Sequence, residues 1–491
     1  MANAIEQRGF FWWFNEPTRQ ANSKQNSVPG LLTVTQTGKV TLDLDGALAE
    51  DGEHADWSKP RSFGRSRIVG LLDTPGDYVL LEELERTDFS IAGDDSPKKQ
   101  SLSANICTRR GFPFPDDYAQ NGFIELRIDL TGLEEWLNLE SIIVETDYDY
   151  EDGERKTVTY TNHNISFPVP GGTISVESLT TGGNFLFHGR DRAVRDVKFE
   201  QFFYICYRPD EPSDLSHLQY VFSKVEEFMA LMLGSYFRFE RPTFIRKEEP
   251  FDGWMTIYSN GPAPTAEPPN RFQMWLQFTD IRDHFGGLFA EWLAGSELYG
   301  AGYYLYVAAL RNPHVYTEDR LFTLATGIEA LHRRCFDSEN SGHAIHEKSR
   351  VRETLKLFSE TDPNRKWLAK KLAHAHEPSL ENRLLESLRE LPFKFGKGQL
   401  EKFAKNCAVR RNDISHRGGP NGDMDYDSFH QEAFRLAEAL ACLFHALLLH
   451  KIGMPRDVLI KLMTKSIIAE RLIKPALGEV GLEIASDETY P

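Results

Sequence analysis

QLEKFAKNCAVRRNDISH, residues 399–416, places apolar side chains at Leu400, Phe403, Ala404, Cys407 and Ile414. At about 100° per residue these positions form one stripe of a helix. Arg411 falls in the middle of that stripe, so a guanidinium is predicted on a contact face. Burying a charge is costly unless an anion or a hydrogen-bonding partner meets it. The placement therefore points to a negative group at Arg411. Gly418-Gly419-Pro420 follows as a stop signal.

The same helical spacing extends to both sides. Phe429, Ala433, Leu436, Leu440, Leu443 and Leu447 mark a helix over Ser428 to Ile452, entered from an acidic loop with Asp423, Asp425 and Asp427. Its apolar run, Leu436 to Leu449, is broken by Glu438 and His445 and is too short to span a bilayer, so it reads as a bundle helix. Upstream, Asn312-Pro313 punctuates the chain. Thr317 then offers a cap and Glu318 and Asp319 suit the first turn, before the stripe Leu321, Leu324, Ile328, Leu331 and Cys335. Further helices fit Glu347–Phe358, Asn364–His374 and Ser379–Leu391, completing a helical bundle.

The first half reads differently. Leu31–Thr35 and Val40–Leu44 alternate on either side of Thr37-Gly38, and Ile142–Tyr150 and Lys156–Thr161 flank Asp152-Gly153; both read as hairpins. Strands are also expected at Ser66–Leu72, Tyr78–Leu81, Phe123–Leu130, Thr173–Leu179 and Val197–Tyr207. Their turn-punctuated spacing favours an antiparallel sandwich or barrel. A helix follows over Asp214–Leu233, with Met229 and Met232 on its core stripe. Pro242–Asn270 reads as a loop-rich connector with one strand at most, and Thr279–Arg311 as helix broken at Gly286-Gly287 and Gly295. The aromatic run Phe10 to Phe14 fits either a binding face or a packed edge.

At 491 residues and 41% hydrophobic content the chain supports two or three cored domains and is not disordered in bulk. Five scattered cysteines with no C-x2-C pair argue against a disulfide framework and a zinc ribbon, and suit a reducing cytoplasm. No signal peptide or membrane span can be drawn. The net charge of −17 opposes a nucleic-acid partner on average, yet residues 311–420 carry 21 Lys/Arg against 15 Asp/Glu. The basic share coincides with the Arg411 helix. The alternative for so small an excess is a solvated helical surface.

Arg411-Asn412-Asp413-Ile414-Ser415-His416 pairs an anion-binding group with an imidazole five residues on. Arg-Asn-x3-His at the end of a helix in an all-helical region resembles the R-x4-6-H motif of HEPN ribonucleases. The layout, a β-rich half joined to a HEPN-like half, is similar to ApeA-type abortive-infection proteins of bacteria. The expected class is thus α+β multidomain: an antiparallel β-rich domain, sandwich or barrel-like, followed by an all-α HEPN bundle. Expected domains are 1–240, a β-rich sensing or regulatory domain ending in a helix; 241–312, a connector with helices; 313–475, the bundle; and 476–491, an acidic tail.

The resemblance implies an anti-phage protein whose HEPN domain cleaves RNA, with tRNA as substrate class and a phage-derived protein as trigger. Spacing and charge do not themselves identify tRNA. In such chemistry the 2′-hydroxyl of RNA attacks the adjacent phosphorus without a metal. His416 would move protons and Arg411 would neutralise charge on the phosphoryl oxygens, with no cofactor required. Asn412, four residues before His416, is a candidate to orient the ring. Arg410 would give R-x5-H and remains an alternative arginine. Glu329 and His332 lie one turn apart, and Glu329 is a candidate to position His416, the alternative being a surface pair.

Five helical residues turn about 500°, leaving Arg411 and His416 about 140° apart. Either the helix unwinds before His416, or the groups meet across a two-fold pair of chains, as a dimer or higher even-numbered oligomer. The competing structural account has Asp413 and Arg417 as an i, i+4 pair and His416 and Arg417 complementing a helix end. The competing functional account is a non-catalytic HEPN-type scaffold that binds nucleotide or protein. The pairs His343/His346 and His374/His376 lack the Cys or carboxylate that would complete a metal site.

Overall fold

A computed structural model describes residues 4–14, 27–46, 48, 67–90, 99–114, 118–120, 122–139, 141–149, 153–182, 199–247, 253–261, 265, 269–311, 316–336, 342–373, 376–420 and 424–485. The chain forms two compact units. The first comprises residues 1–134, 139–226 and 237–268; the second comprises 135–138, 227–236 and 269–491.

Among the described residues the first unit is built on fourteen strands: β1 (Ile5–Trp13), β2 (Val28–Val34), β3 (Val40–Leu44), β4 (Ile68–Leu72), β5 (Tyr78–Ser90), β6 (Lys99–Arg110), β7 (Phe123–Asp129), β8 (Ile142–Asp149), β9 (Gly153–Tyr160), β10 (Asn164–Val169), β11 (Gly172–Gly182), β12 (Phe199–Pro209), β13 (Thr243–Arg246) and β14 (Gly253–Ser259). β6, β3, β2, β1, β4 and β5 pair in that order, and β5 returns to β6, closing a six-stranded antiparallel barrel. Closure leaves no free edge in the ring. One edge of β6 is shared. Gln100–Ala104 pair with β3 inside the barrel, while Ile106–Arg110 pair with β14 and lead into the sheet β14-β13-β7-β12-β11-β10.

Alternation fills the barrel. Leu32, Val34, Val40, Leu42, Leu44, Val79, Leu81 and Leu102 point inward and are buried. Phe11 is wholly buried among them, so the N-terminal aromatic run supplies core. Gly70 faces that ring, and a Cβ built there would lie 2.5 Å from it. Only glycine leaves room. β8 and β9 form a separate two-stranded sheet whose described side chains from Ile142 to Tyr148 are exposed; the Asp152 of its turn lies outside the described residues.

The helices are α1 (Glu134–Leu137), α2 (Leu215–Leu233), α3 (Phe278–Ile281), α4 (Phe285–Arg311), α5 (Thr317–Cys335), α6 (Gly342–Lys356), α7 (Pro363–Lys371), α8 (Leu380–Arg389), α9 (Gln399–Arg417), α10 (Tyr426–Lys451), α11 (Arg456–Lys465) and α12 (Lys474–Glu479), with a π turn at Ala469–Ile473. Met229 and Met232 are buried. α4 runs unbroken through the expected glycine breaks. Its Gly302 meets α5, where a Cβ would come within 2.8 Å of Leu331 and 3.0 Å of the Gly327 carbonyl. Close helix packing overrides the low helical propensity of glycine.

α5, α8, α9 and α10 assemble the core of the second unit. α10 begins at Asp425, whose carboxylate accepts from the Ser428 N–H at 2.8 Å. Among the described residues α10 is long and apolar enough to cross a membrane by length and composition, but 72% of its most apolar window is buried inside the fold.

Candidate functional site

α9 starts beyond Gly398 and ends at Gly418, whose left-handed φ of 69° lets its N–H bond the Ile414 carbonyl. The helix therefore includes His416 and does not unwind before it. Within one chain Arg411 and His416 leave α9 on different faces, about 140° apart.

Arg411 lies against α5. Its side chain is 20% exposed, and its guanidinium carbon is 5.2 Å from the Phe322 ring centroid. One terminal nitrogen donates to Asn412 Oδ1 at 3.3 Å and the other to Glu329 Oε2 at 3.4 Å. Both bonds are long. The buried Nε finds no acceptor among the described residues. The negative group expected at this arginine is thus a carboxylate of the same chain, held loosely, and the Nε–H is left over as a donor among the described residues.

Arg410 is engaged far more tightly. It donates to Glu432 at 2.8 and 3.0 Å and to Asp413 at 2.9 Å. Burial disfavours its charge, but Glu432 and Asp413 more than offset this and raise its pKa. Asp413 is itself buried and also accepts from Arg417 at 2.8 Å, so the i, i+4 pair exists. His416 is exposed and makes no side-chain hydrogen bond among the described residues. Asn412 turns its amide oxygen to Arg411 and not to His416.

Glu329 reaches Arg411, not His416, and also accepts from Arg333 at 3.1 Å. Behind it stands a polar cluster of which the sequence reading named only His332, one turn from Glu329, and missed Arg383, Glu377 and Glu386. Arg383, only 2% exposed, donates through Nε to the Pro378 carbonyl at 3.0 Å and through a terminal nitrogen to Glu377 at 3.1 Å. Its other terminal nitrogen is 3.4 Å from His332 Nδ1. His332 is fully buried, stacks on Phe336 at 4.3 Å, and places Nε2 2.8 Å from Glu386. With Nδ1 facing an N–H donor, Nε2 carries the proton toward Glu386. Burial lowers the His332 pKa, although Glu386 opposes the shift. The signal was present: His332 follows Ile328 by four residues and so shares the buried stripe of α5.

Other candidates contribute little chemistry. Burial pushes the thiols of Cys107, Cys206 and Cys442 up to about 12, far from a reactive thiolate. Among the described residues no three His, Cys, Asp or Glu side chains are grouped to hold a metal. The side chains of His343 and His374 lie outside the described residues.

Comparison with known families gives this geometry its setting. Residues 322–458, which hold Phe322, Glu329, Arg411 and His416, match the family model for Apea-like HEPN, so the helical region contains a HEPN domain. Residues 7–292 match ApeA N-terminal domain 1, more than half of the chain, and the protein belongs to the ApeA-like family. It is accordingly an anti-phage HEPN protein, and HEPN domains are generally nuclease-like and RNA-binding. Neither the curated proteins nor the solved structures yield a significant match.

Proposed function

We propose that the HEPN domain is a metal-independent endoribonuclease whose active cleft forms from two copies of α9. A 2′-hydroxyl of RNA attacks the adjacent phosphorus and the bond to the 5′-oxygen breaks, leaving a 2′,3′-cyclic phosphate and a 5′-hydroxyl end. The exposed imidazole of His416 takes the 2′ proton or supplies one to the departing oxygen, so one Arg411 and one His416 suffice for a cleft. Arg411 neutralises charge growing on the non-bridging oxygens. The observation that carries this reading is the contrast on α9: among the described residues Arg411 holds a loose carboxylate and an Nε with no acceptor, while His416 is exposed and bonds nothing. Arg410, consumed by two carboxylates, is the poorer choice of arginine.

Because Arg411 and His416 diverge on a helix that stays wound, a complete site needs His416 from a two-fold partner. Likeness to other HEPN domains supports RNA as the ligand; the substrate in this reading is cellular RNA, tRNA in particular, and the trigger is a phage-derived protein that engages the β-rich unit. Incubation with total cellular RNA in EDTA tests the chemistry. Wild type is expected to cut, and folded His416→Ala is expected not to. Cleavage that persists in His416→Ala overturns the assignment.

A second reading keeps the fold and drops the reaction. The Glu329 carboxylate already occupies Arg411, which suits a non-catalytic scaffold binding nucleotide or protein elsewhere. RNA binding without scission in the same assay would favour it.

A further inference from the structure

α7 presents its largest apolar side chain outward. Trp367 is 60% exposed, and no residue of this nine-residue helix is buried. The helix is nevertheless well made: the Asp362 carboxylate accepts from the Asn364 N–H at 2.8 Å, and Pro363 occupies the first turn. At about 100° per residue, Lys366, Lys370 and Lys371 flank Trp367 on one face, while Leu368, Ala369 and Leu372 lie on the other side. All three lysines are exposed.

Their neighbours differ. Lys356 pairs with Glu353 at 2.7 Å, Arg350 with Glu347 at 3.6 Å and Arg365 with Glu360 at 3.5 Å. Lys366, Lys370 and Lys371 pair with no carboxylate among the described residues. Lysines in a last helical turn complement the helix dipole, which accounts for Lys370 and Lys371 but not for Lys366 or an outward tryptophan. Residues 342–371 carry eight Lys/Arg against four Asp/Glu in a chain of net charge −17.

We propose that α7 is an RNA-docking helix, on which Trp367 stacks an unpaired base and Lys366, Lys370 and Lys371 contact the flanking phosphates. A polyanion with flat π faces satisfies both features at once: aromatic stacking supplies sequence-tolerant binding and cations track the backbone. An acidic peptide need offer no ring to the indole. One outward aromatic on nine residues is too little apolar surface for an interfacial membrane helix. The inference rests on the reading of this protein as one that acts on RNA, and it names where substrate is held outside the Arg411 and His416 cleft.

The test uses full-length His416→Ala chains, which keep RNA uncut, and a labelled unstructured RNA of about 20 nucleotides followed by anisotropy. Trp367→Ala is expected to weaken binding about tenfold, and Trp367→Phe much less. Replacing the three lysines by glutamine together should flatten the slope of log Kd against log salt by about 2. With His416 intact, Trp367→Ala should raise KM for this RNA and leave kcat unchanged. Binding by the parent chain that is indifferent to Trp367 overturns the docking helix alone. A wild type that neither binds nor cuts RNA, or that binds anionic phospholipid vesicles in its place, overturns both the docking helix and the reading beneath it.

Discussion

Glu329 on α5 accepts from the Arg411 guanidinium on α9 at 3.4 Å, and from Arg333 of its own helix at 3.1 Å. The carboxylate thereby biases where the motif arginine points without clamping it, with Phe322 as the surface beneath it. Glu329→Ala should release that guanidinium and lower single-turnover RNA cleavage by about tenfold or more, since small misplacements of a catalytic group are costly in rate. Glu329→Gln keeps an acceptor and should retain most of the rate. Equal rates in wild type and Glu329→Ala would remove Glu329 from the site.

The two adjacent arginines should separate cleanly. Arg410→Ala strips Glu432 of its partner and leaves buried Asp413 with Arg417 alone, which should cost about 3 kcal/mol of stability. Arg411→Ala should cost about 1 kcal/mol, because it breaks only long hydrogen bonds and one cation–π contact, yet should abolish cleavage. Urea midpoints and cleavage rates on both variants check the assignment. Full activity in Arg411→Ala would transfer the role to Arg410.

His445, fully buried in α10, has its Nδ1 2.5 Å from the Tyr306 hydroxyl and its ring 3.9 Å from that of Trp275. Burial lowers its pKa to about 3. The unfolded imidazole titrates at about 6.5, so the folded state binds fewer protons between those values. Its stabilising contribution is complete above pH 6.5 and is lost as pH falls toward 3, at up to about 1.4 kcal/mol per unit. His445→Gln should flatten the wild-type decline in urea midpoint between pH 7 and pH 5. Parallel declines in the two proteins would contradict this.

The barrel offers a packing test. A methyl at Gly70 would meet the Phe11 ring at 2.5 Å and the Val79 side chain at 2.8 Å. Gly70→Ala should destabilise the first unit by about 2 kcal/mol, read as a drop in thermal midpoint. An unchanged midpoint would mean that Phe11 repacks freely.

What could be read from sequence followed local signals. α5, α9 and α10 were legible because their stripes are long, and Asp425 and Gly418 mark boundaries the backbone obeys. β6 was not, since Lys99, Ser101, Ser103 and Asn105 break any apolar run and only pairing with β5 and β3 defines it. β13 and β14 lie in a Pro- and Gly-rich stretch and are held by β7 and β6. β1 was obscured because Phe10 to Phe14 are aromatic on both faces, and its alternation emerges only with Phe11 inside the barrel. At the site, the half-buried placement of Arg411 followed from periodicity. Its partner did not, because Glu329 meets it only where α5 and α9 come together.

The central claim is that one cleft takes Arg411 and His416 from different copies of α9. Equimolar mixing of Arg411→Ala and His416→Ala chains, each inactive alone, tests it most directly through RNA cleavage after subunit exchange. If each cleft is built from both chains, a substantial share of wild-type activity should return in the mixture, carried by heterodimers that retain one intact pair. A mixture that exchanges subunits and stays as inactive as its parents would contradict the shared cleft.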